Sequence, residues 1–310
     1  MRRVLLTGGA GFIGSQLARD LVGTGAEVVV LDKLTYAGRR EHLDGVDCSL
    51  VVGDVCDPRA VAAAMAGCDV VVHAAAESHV VRSLEAAQAF LRTNVEGTRV
   101  VLEAARRERV ERVLHVSTDE VFGQVEDGVA CGEDAPLRPG NAYAASKVGA
   151  EALVHAWRHT HGMSVTIVRC TNNYGPRQHP EKAVPCWTRA ALGGGPLPID
   201  GTGEAVRDWL YVEDFSRGVL AALEGWRDAA TWHFAGWQHR TNQQMAELVA
   251  DTVGVGARFE RRPDRKGQDR RYALADRSTR EALDWAPRVS LEEGLRRTVA
   301  WYRAHPDAWS

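Results

Sequence analysis

Short, unbroken apolar runs recur through the first half of the chain. Val4-Leu5-Leu6, Val28-Val29-Val30-Leu31, Leu50-Val51-Val52, Val70-Val71-Val72, Arg112-Val113-Leu114-His115-Val116 and Val165-Thr166-Ile167-Val168 are six of them. Strands covered on both faces have this pattern, whereas half-exposed strands alternate with polar residues. Between the runs lie stretches of helical spacing, among them 61–65 and 83–107. Such alternation implies right-handed crossovers and a parallel sheet, so an α/β doubly wound fold is expected. After about Arg169 the pattern changes. Gly175-Pro176, Gly193-Gly194-Gly195-Pro196, Gly201 and Gly203 lengthen the loops, and the helices expected at 212–223, 242–253 and 291–302 are short. This half reads as a smaller lobe built on loops, where specificity usually sits. The expected division is 1–175 for the sheet domain, with some later segments returning to it, and 176–310 for the lobe.

Length and charge narrow the partners. The 310 residues amount to about two domain equivalents. A net charge of −3 leaves no global basic field for nucleic acid or an anionic membrane, so any anionic ligand must meet local charges. The six cysteines (Cys48, Cys56, Cys68, Cys131, Cys170 and Cys186) contain no Cys-x-x-Cys pair. They read as reduced thiols, and no metal is expected. Met1-Arg2-Arg3-Val4-Leu5-Leu6 begins like a secretory leader, but its apolar run stops at Thr7. No stretch approaches the roughly 20 apolar residues of a membrane span. A soluble, cytoplasmic chain is the expectation.

The first strand enters Gly8-Gly9-Ala10-Gly11-Phe12-Ile13-Gly14. Gly8, Gly11 and Gly14 permit a tight turn and close backbone approach to a pyrophosphate, and the helix that follows offers N–H groups and a positive dipole end. Asp32 ends the second strand 18 residues after Gly14. An acid there suits a ribose diol and repels a 2′-phosphate, favouring NAD over NADP. Asp54 ends the third strand and either accepts from adenine N6 or caps the turn before Pro58. His73, His79 and His115 at strand ends read as hydrogen-bonded structural residues.

Tyr143-Ala144-Ala145-Ser146-Lys147 places a phenol and an ammonium on one helix face. A nearby lysine and a nicotinamide cation lower a phenol's pKa, so such a Tyr can take a hydroxyl proton as hydride leaves the same carbon. The turn plus Tyr-x-x-x-Lys resembles the extended short-chain dehydrogenase/reductase superfamily over roughly residues 1–175. Ser117-Thr118-Asp119-Glu120 follows the fifth strand at its carboxyl end. An acid and a base beside a hydride acceptor suit oxidation followed by elimination.

Along nearly its whole length the chain then resembles dTDP-glucose 4,6-dehydratases. The residues that carry this are Asp32-Lys33-Leu34-Thr35-Tyr36-Ala37-Gly38, Ala75-Ala76-Glu77-Ser78-His79-Val80, Ser117 to Gly123, Tyr143 to Lys147, Asn172-Asn173-Tyr174-Gly175-Pro176, Pro180-Glu181-Lys182, Arg207 to Asp214 and Asp269-Arg270-Arg271-Tyr272. The resemblance implies a Rossmann-type sheet holding NAD. Gly8, Gly11, Phe12, Ile13, Gly14, Asp32, Lys33, Leu34, Thr35, Asp54 and Val55 would contact the cofactor. So would Ala74, Ala75, Ala76, Ser78, Thr93, Ser117, Tyr143, Lys147 and Asn173. It further implies that Tyr143, with Lys147 and Thr118, takes the C4 hydroxyl proton, Glu120 the C5 proton, and that Asp119 protonates the leaving C6 hydroxyl. Ser78, Thr118, Asn172, Glu181, Lys182, Leu197, Pro198, Ile199, Arg207, Asn242, Arg265 and Gln268 would bind dTDP-glucose or a close nucleotide sugar, with Arg207 and Arg265 supplying local positive charge. A homodimer through helices at 83–107 and 142–160 is implied as well. Val81, Gln268 and Phe215 stand where the family usually has Asp, His and His, which bears on substrate detail. A 4-epimerase and a non-catalytic nucleotide-sugar sensor are the competing readings. Asp119-Glu120 argues against the first, and the retained Thr118, Asp119, Glu120, Tyr143 and Lys147 against the second.

Overall fold

The computed structural model describes residues 3–309, so Met1 and Arg2 of the leader-like start lie outside it. Six strands correspond to the six apolar runs: β1 (Arg3–Thr7), β2 (Glu27–Asp32), β3 (Cys48–Val52), β4 (Val70–His73), β5 (Arg112–Thr118) and β6 (Val165–Cys170). Then come β7 (Asn172–Tyr174), β8 (Leu197–Asp200), β9 (Val206–Tyr211), β10 (Thr231–Phe234), β11 (His239–Thr241) and β12 (Phe259–Arg262). The helices are α1 (Phe12–Gly23), α2 (Pro58–Met65), α3 (Val80–Glu85), α4 (Ala87–Phe90), α5 (Gly97–Glu108), α6 (Ala142–His161), α7 (Ala183–Leu192), α8 (Val212–Glu224), α9 (Asn242–Val253), α10 (Arg277–Leu283) and α11 (Leu291–Ala304).

The central sheet is a parallel, Rossmann-type array in the order β10-β6-β5-β4-β1-β2-β3. The winding reverses between β1 and β4, and the crevice outside their carboxyl ends is where ligands bind in such sheets. Apolar residues on both strand faces explain the runs. Val4, Leu6, Val28 and Val30 enter one core with Leu17 and Leu21 of α1 and Phe215 and Val219 of α8. Leu5, Val29 and Leu31 enter the opposite core with α2, α5 and Val154 of α6.

Two further sheets build the lobe. β7 and β11 flank β9, and β12 pairs with β8. α7, α9 and α11 pack behind them around Tyr174, Trp187, Trp209 and Met245. The later half is therefore richer in strands than its loops suggest, and β10 returns from it to the edge of the main sheet beside β6.

The helix expected over 83–107 is not continuous. α3 ends at Ala86, whose φ −134° and ψ 50° leave the helical region. The chain then resumes as α4, passes through a π-helical turn (Leu91–Glu96) and continues as α5. Asn94 lies in that turn. It donates to the Glu77 carbonyl (3.0 Å) and to Ser146 Oγ (2.8 Å), and it accepts from the Glu77 N–H (2.8 Å). A π-turn at such a contact is a common way to aim one side chain.

Candidate active site

Two adjoining clefts open at the carboxyl ends of the strands. The first, of about 1060 Å³ including its mouth, lies over the β1–α1 turn. Gly8 has φ +72°, and a Cβ on Gly14 would sit 2.0 Å from the Gly8 carbonyl oxygen. Only glycine lets α1 start this close to the turn. Asp32 accepts from the backbone N–H groups of Ala10 (2.9 Å) and Leu34 (2.8 Å), which fix its carboxylate at the cleft wall. Burial raises its pKa against the pull of these two bonds. Burial would also raise Asp54, but Lys33 Nζ at 2.7 Å and the Cys56 N–H at 2.9 Å override it and hold the carboxyl low. Lys33 is thereby paired with the adjacent acid.

Fifteen of the expected cofactor residues line this cleft: Gly8, Gly11, Phe12, Ile13, Gly14, Asp32, Lys33, Thr35, Asp54, Val55, Ala74, Ala75, Ala76, Ser78 and Thr93. Leu34 does not. Its φ of 53° turns the side chain onto the core near α1. Ser117, Tyr143, Lys147 and Asn173 also lie outside the lining. Tyr36, Gln178 and His179 are lining residues that the motifs did not flag. Tyr36 was visible only as part of the Asp32 to Gly38 run. Gln178 and His179 reach the cofactor cleft from the far lobe, which no local pattern announces.

The second cleft, of about 1160 Å³, lies between the sheet and the lobe, and Ser78, Glu181 and Lys182 line both. Asn172, Pro198, Ile199, Arg207, Asn242, Arg265 and Gln268 line it as expected. Thr118 and Leu197 do not. Leu197 alternates inward along β8 and packs in the lobe core. Phe215 is also removed from the cleft, packed on Phe234 with ring centroids 5.9 Å apart, so that departure concerns the core. The positive charge is more muted than expected. Arg265 is paired with Asp200, and Arg207 donates to the carbonyls of Val206 (2.7 Å) and Asp269 (2.8 Å) while lying 4.5 Å from the Tyr272 ring centre.

Beside the second cleft, which Glu120 lines, β5, the turn after it and α6 bring together the five expected catalytic side chains. Thr118 ends β5, and its hydroxyl accepts from the Glu120 N–H (3.3 Å) and donates to Asp119 Oδ1 (3.2 Å). That hydroxyl also neighbours the Tyr143 phenol. Asp119 Oδ2 is buried with no partner. Burial, then the charge of Glu120, pushes the Asp119 carboxyl up to about 8. Glu120 faces the second cleft and is raised by burial against the Asn141 amide, which donates to its Oε2 at 3.3 Å.

The Tyr–Lys pair departs from expectation in one respect. Burial first, then Glu120, holds the Tyr143 phenol well above its ordinary value. The Lys147 ammonium, lowered by burial to about 8, donates to the Val116 carbonyl (2.6 Å). The histidines also divide. His73 bonds Thr7 (2.7 Å) and Thr98 (3.0 Å), while neither ring nitrogen of His115 has a partner. His79 caps α3 and approaches Glu181 at 3.8 Å.

Residues 4–232 match the NAD dependent epimerase/dehydratase family. A dTDP-glucose 4,6-dehydratase of Streptomyces niveus is 44% identical, with 99% of this chain and 94% of the relative covered. The crystal structure of DesIV, a dTDP-glucose 4,6-dehydratase of Streptomyces venezuelae with NAD and a second ligand bound, is 42% identical with TM-score 0.96, covering 99% of each chain. A UDP-glucose 4-epimerase of Thermus thermophilus with NAD superposes at TM-score 0.91 and 32% identity, covering 97% of this chain and 99% of that one.

Proposed function

The chain belongs to the NAD dependent epimerase/dehydratase family, and within it we propose that it is a dTDP-glucose 4,6-dehydratase. The observation that carries this is the buried Asp119–Glu120 pair set against Tyr143, with Glu120 lining the second cleft. Epimerisation at C4 has no use for a base at C5 or an acid at C6.

The glycine turn and Asp32 fit NAD: the cradle is open where a pyrophosphate approaches, and a carboxylate stands where a ribose diol would lie. Held there, NAD would supply a hydride acceptor for C4 and, once reduced, a hydride donor for C6. Tyr143, assisted by Thr118 and the Lys147 charge, takes the C4 hydroxyl proton as the ketone forms. Glu120 takes the C5 proton, which the ketone has acidified. Asp119, held protonated near neutral pH, gives its proton to the departing C6 hydroxyl, which leaves as water. A proton returns to C5 as C6 becomes a methyl group. The product is dTDP-4-keto-6-deoxyglucose, and NAD is regenerated.

In this reading residues 1–175, with later segments, hold the cofactor, and 176–310 hold the nucleotide sugar. Asn172, Glu181, Lys182, Arg207, Asn242 and Arg265 bind substrate. The protein is a cytoplasmic homodimer joined through 83–107 and 142–160. Leu84 and Leu91, exposed in the first of these, support the dimer, and six free thiols suit a reducing compartment. Among the described residues no helix is long and apolar enough to cross a membrane.

The test is incubation with dTDP-glucose. Loss of water with appearance of a 4-keto chromophore in alkali is expected. Recovery of dTDP-galactose would make the protein an epimerase, and unchanged sugar would end the catalytic reading.

A further inference from the structure

Asn141 stands where two parts of the site meet. Its Oδ1 accepts from the Ala144 N–H at 2.9 Å, capping α6 two residues before Tyr143. Its Nδ2 donates to Glu120 Oε2 at 3.3 Å. The side chain is buried, so neither contact is an accident of the surface. Cap and donor use opposite ends of one amide, and the cap fixes which end faces Glu120. From this geometry we propose that Asn141 is a positioning residue for the dehydration: it holds Glu120 as an ionised base and ties it to the helix that carries Tyr143 and Lys147.

The inference rests on the dehydratase reading, because it gives Glu120 the C5 proton. The groups facing Glu120 come from every side: Asp119 beside it, Tyr143 on α6, Arg207 on β9, Lys182 before α7, and Asp269 and Tyr272 after β12. Tyr272 donates to Asp269 Oδ2 at 2.9 Å and lies 3.5 Å from the same Glu120 oxygen, so Asn141 makes the shorter contact to it. Lys182 and Arg207 favour the carboxylate, while Asp269 and burial oppose it. A hydrogen bond to the ionised form lowers a carboxyl pKa, so losing the amide donor moves Glu120 upward.

Two variants separate donor from cap. Asn141→Asp keeps a capping oxygen but cannot donate as a carboxylate, and Asn141→Ala loses both functions. Each should move the acid limb of the kcat profile to higher pH and slow deuterium entry at C5 from heavy water by roughly tenfold, about one charged hydrogen bond. The larger effect is expected in Asn141→Asp, which adds a like charge. Formation of reduced cofactor in the first turnover should fall less than C5 exchange in both. Asn141→Ala should lose a few degrees of Tm with its cap. If it fails to fold, Asn141→Asp decides alone. Wild-type pH limb and C5 exchange in a folded variant would overturn the proposal. Absence of dehydration in the wild type would instead remove the reading beneath it.

Discussion

Asp119 and Glu120 are consecutive carboxylates with different environments, and in the proposed dehydration those environments suit them to different tasks. Asp119 is enclosed, and burial with the Glu120 charge pushes it up to about 8, so it holds a proton at neutral pH. That has a consequence for stability. The unfolded chain releases this proton near pH 4, while the folded chain keeps it until about pH 8. Between those values the unfolded state binds fewer protons, so the contribution of this site to stability falls as pH rises. It is fully present below about pH 4 and levels off above about pH 8. Asp119→Asn should therefore gain Tm relative to wild type progressively across that window. A Tm gap that stays constant across it would show that Asp119 titrates normally. At this scale the chemistry was legible wherever partners are neighbours in sequence, as in Asp119-Glu120 or Tyr143 with Lys147. The Asn141 donor to Glu120 and the neighbouring Tyr272 were not, because 21 and 152 residues separate them from it. Nor did sequence show that Lys147 would spend its proton on Val116.

The elements that carry the site are held by a buried ion pair. Arg169 on β6 grips Glu151 on α6 through two bonds, Nε to Oε1 at 3.0 Å and Nη2 to Oε2 at 2.7 Å. The same guanidinium donates to the Glu133 carbonyl (2.9 Å) and lies 4.8 Å from the Phe122 ring centre, just past the Asp119–Glu120 turn. One cation thus braces the helix bearing Tyr143 and Lys147 against the turn bearing the two acids. Removing one partner of such a pair costs about 3–5 kcal/mol, because the other charge stays buried. Glu151→Ala should lower Tm by roughly 10 °C for a chain of this size. Replacing both residues with methionine should recover much of that loss, as measured by calorimetry. Elements were legible where apolar runs or helical periods were long, as in the first six strands and α9. α7 was hidden because Pro185 and flanking glycines read as loop, although proline is tolerated in a helix's first turn. β10 was hidden because four residues containing His233 make no apolar run, yet they pair with β6 over their full length.

At the scale of the whole molecule, the chemistry requires that reduced cofactor not escape between the first and last hydride transfers. The lobe must therefore be tied to the cofactor domain as well as apposed to it. Arg177 makes such a tie. It follows the Asn172 to Pro176 run with φ +68°, and sends its guanidinium back to α1, where Nε donates to Ser15 Oγ (3.2 Å) and Nη2 to Gln16 Oε1 (2.8 Å). Its neighbours Gln178 and His179 close one side of the cofactor cleft, and Gln178 accepts from Tyr302 on α11 through its backbone carbonyl. A loop that begins in the lobe is thus anchored on the helix that opens at the glycine turn. Family motifs end at Pro176 and resume at Pro180, so this anchor falls between two legible segments and has no signature of its own. Arg177→Met keeps bulk but removes the tie. Turnover of the variant should leave free reduced cofactor in an ultrafiltrate, and its rate should decay without added NAD and recover when NAD is supplied. If it holds its cofactor as firmly as the wild type, Arg177 is not the tie that keeps the lobe closed over the cleft.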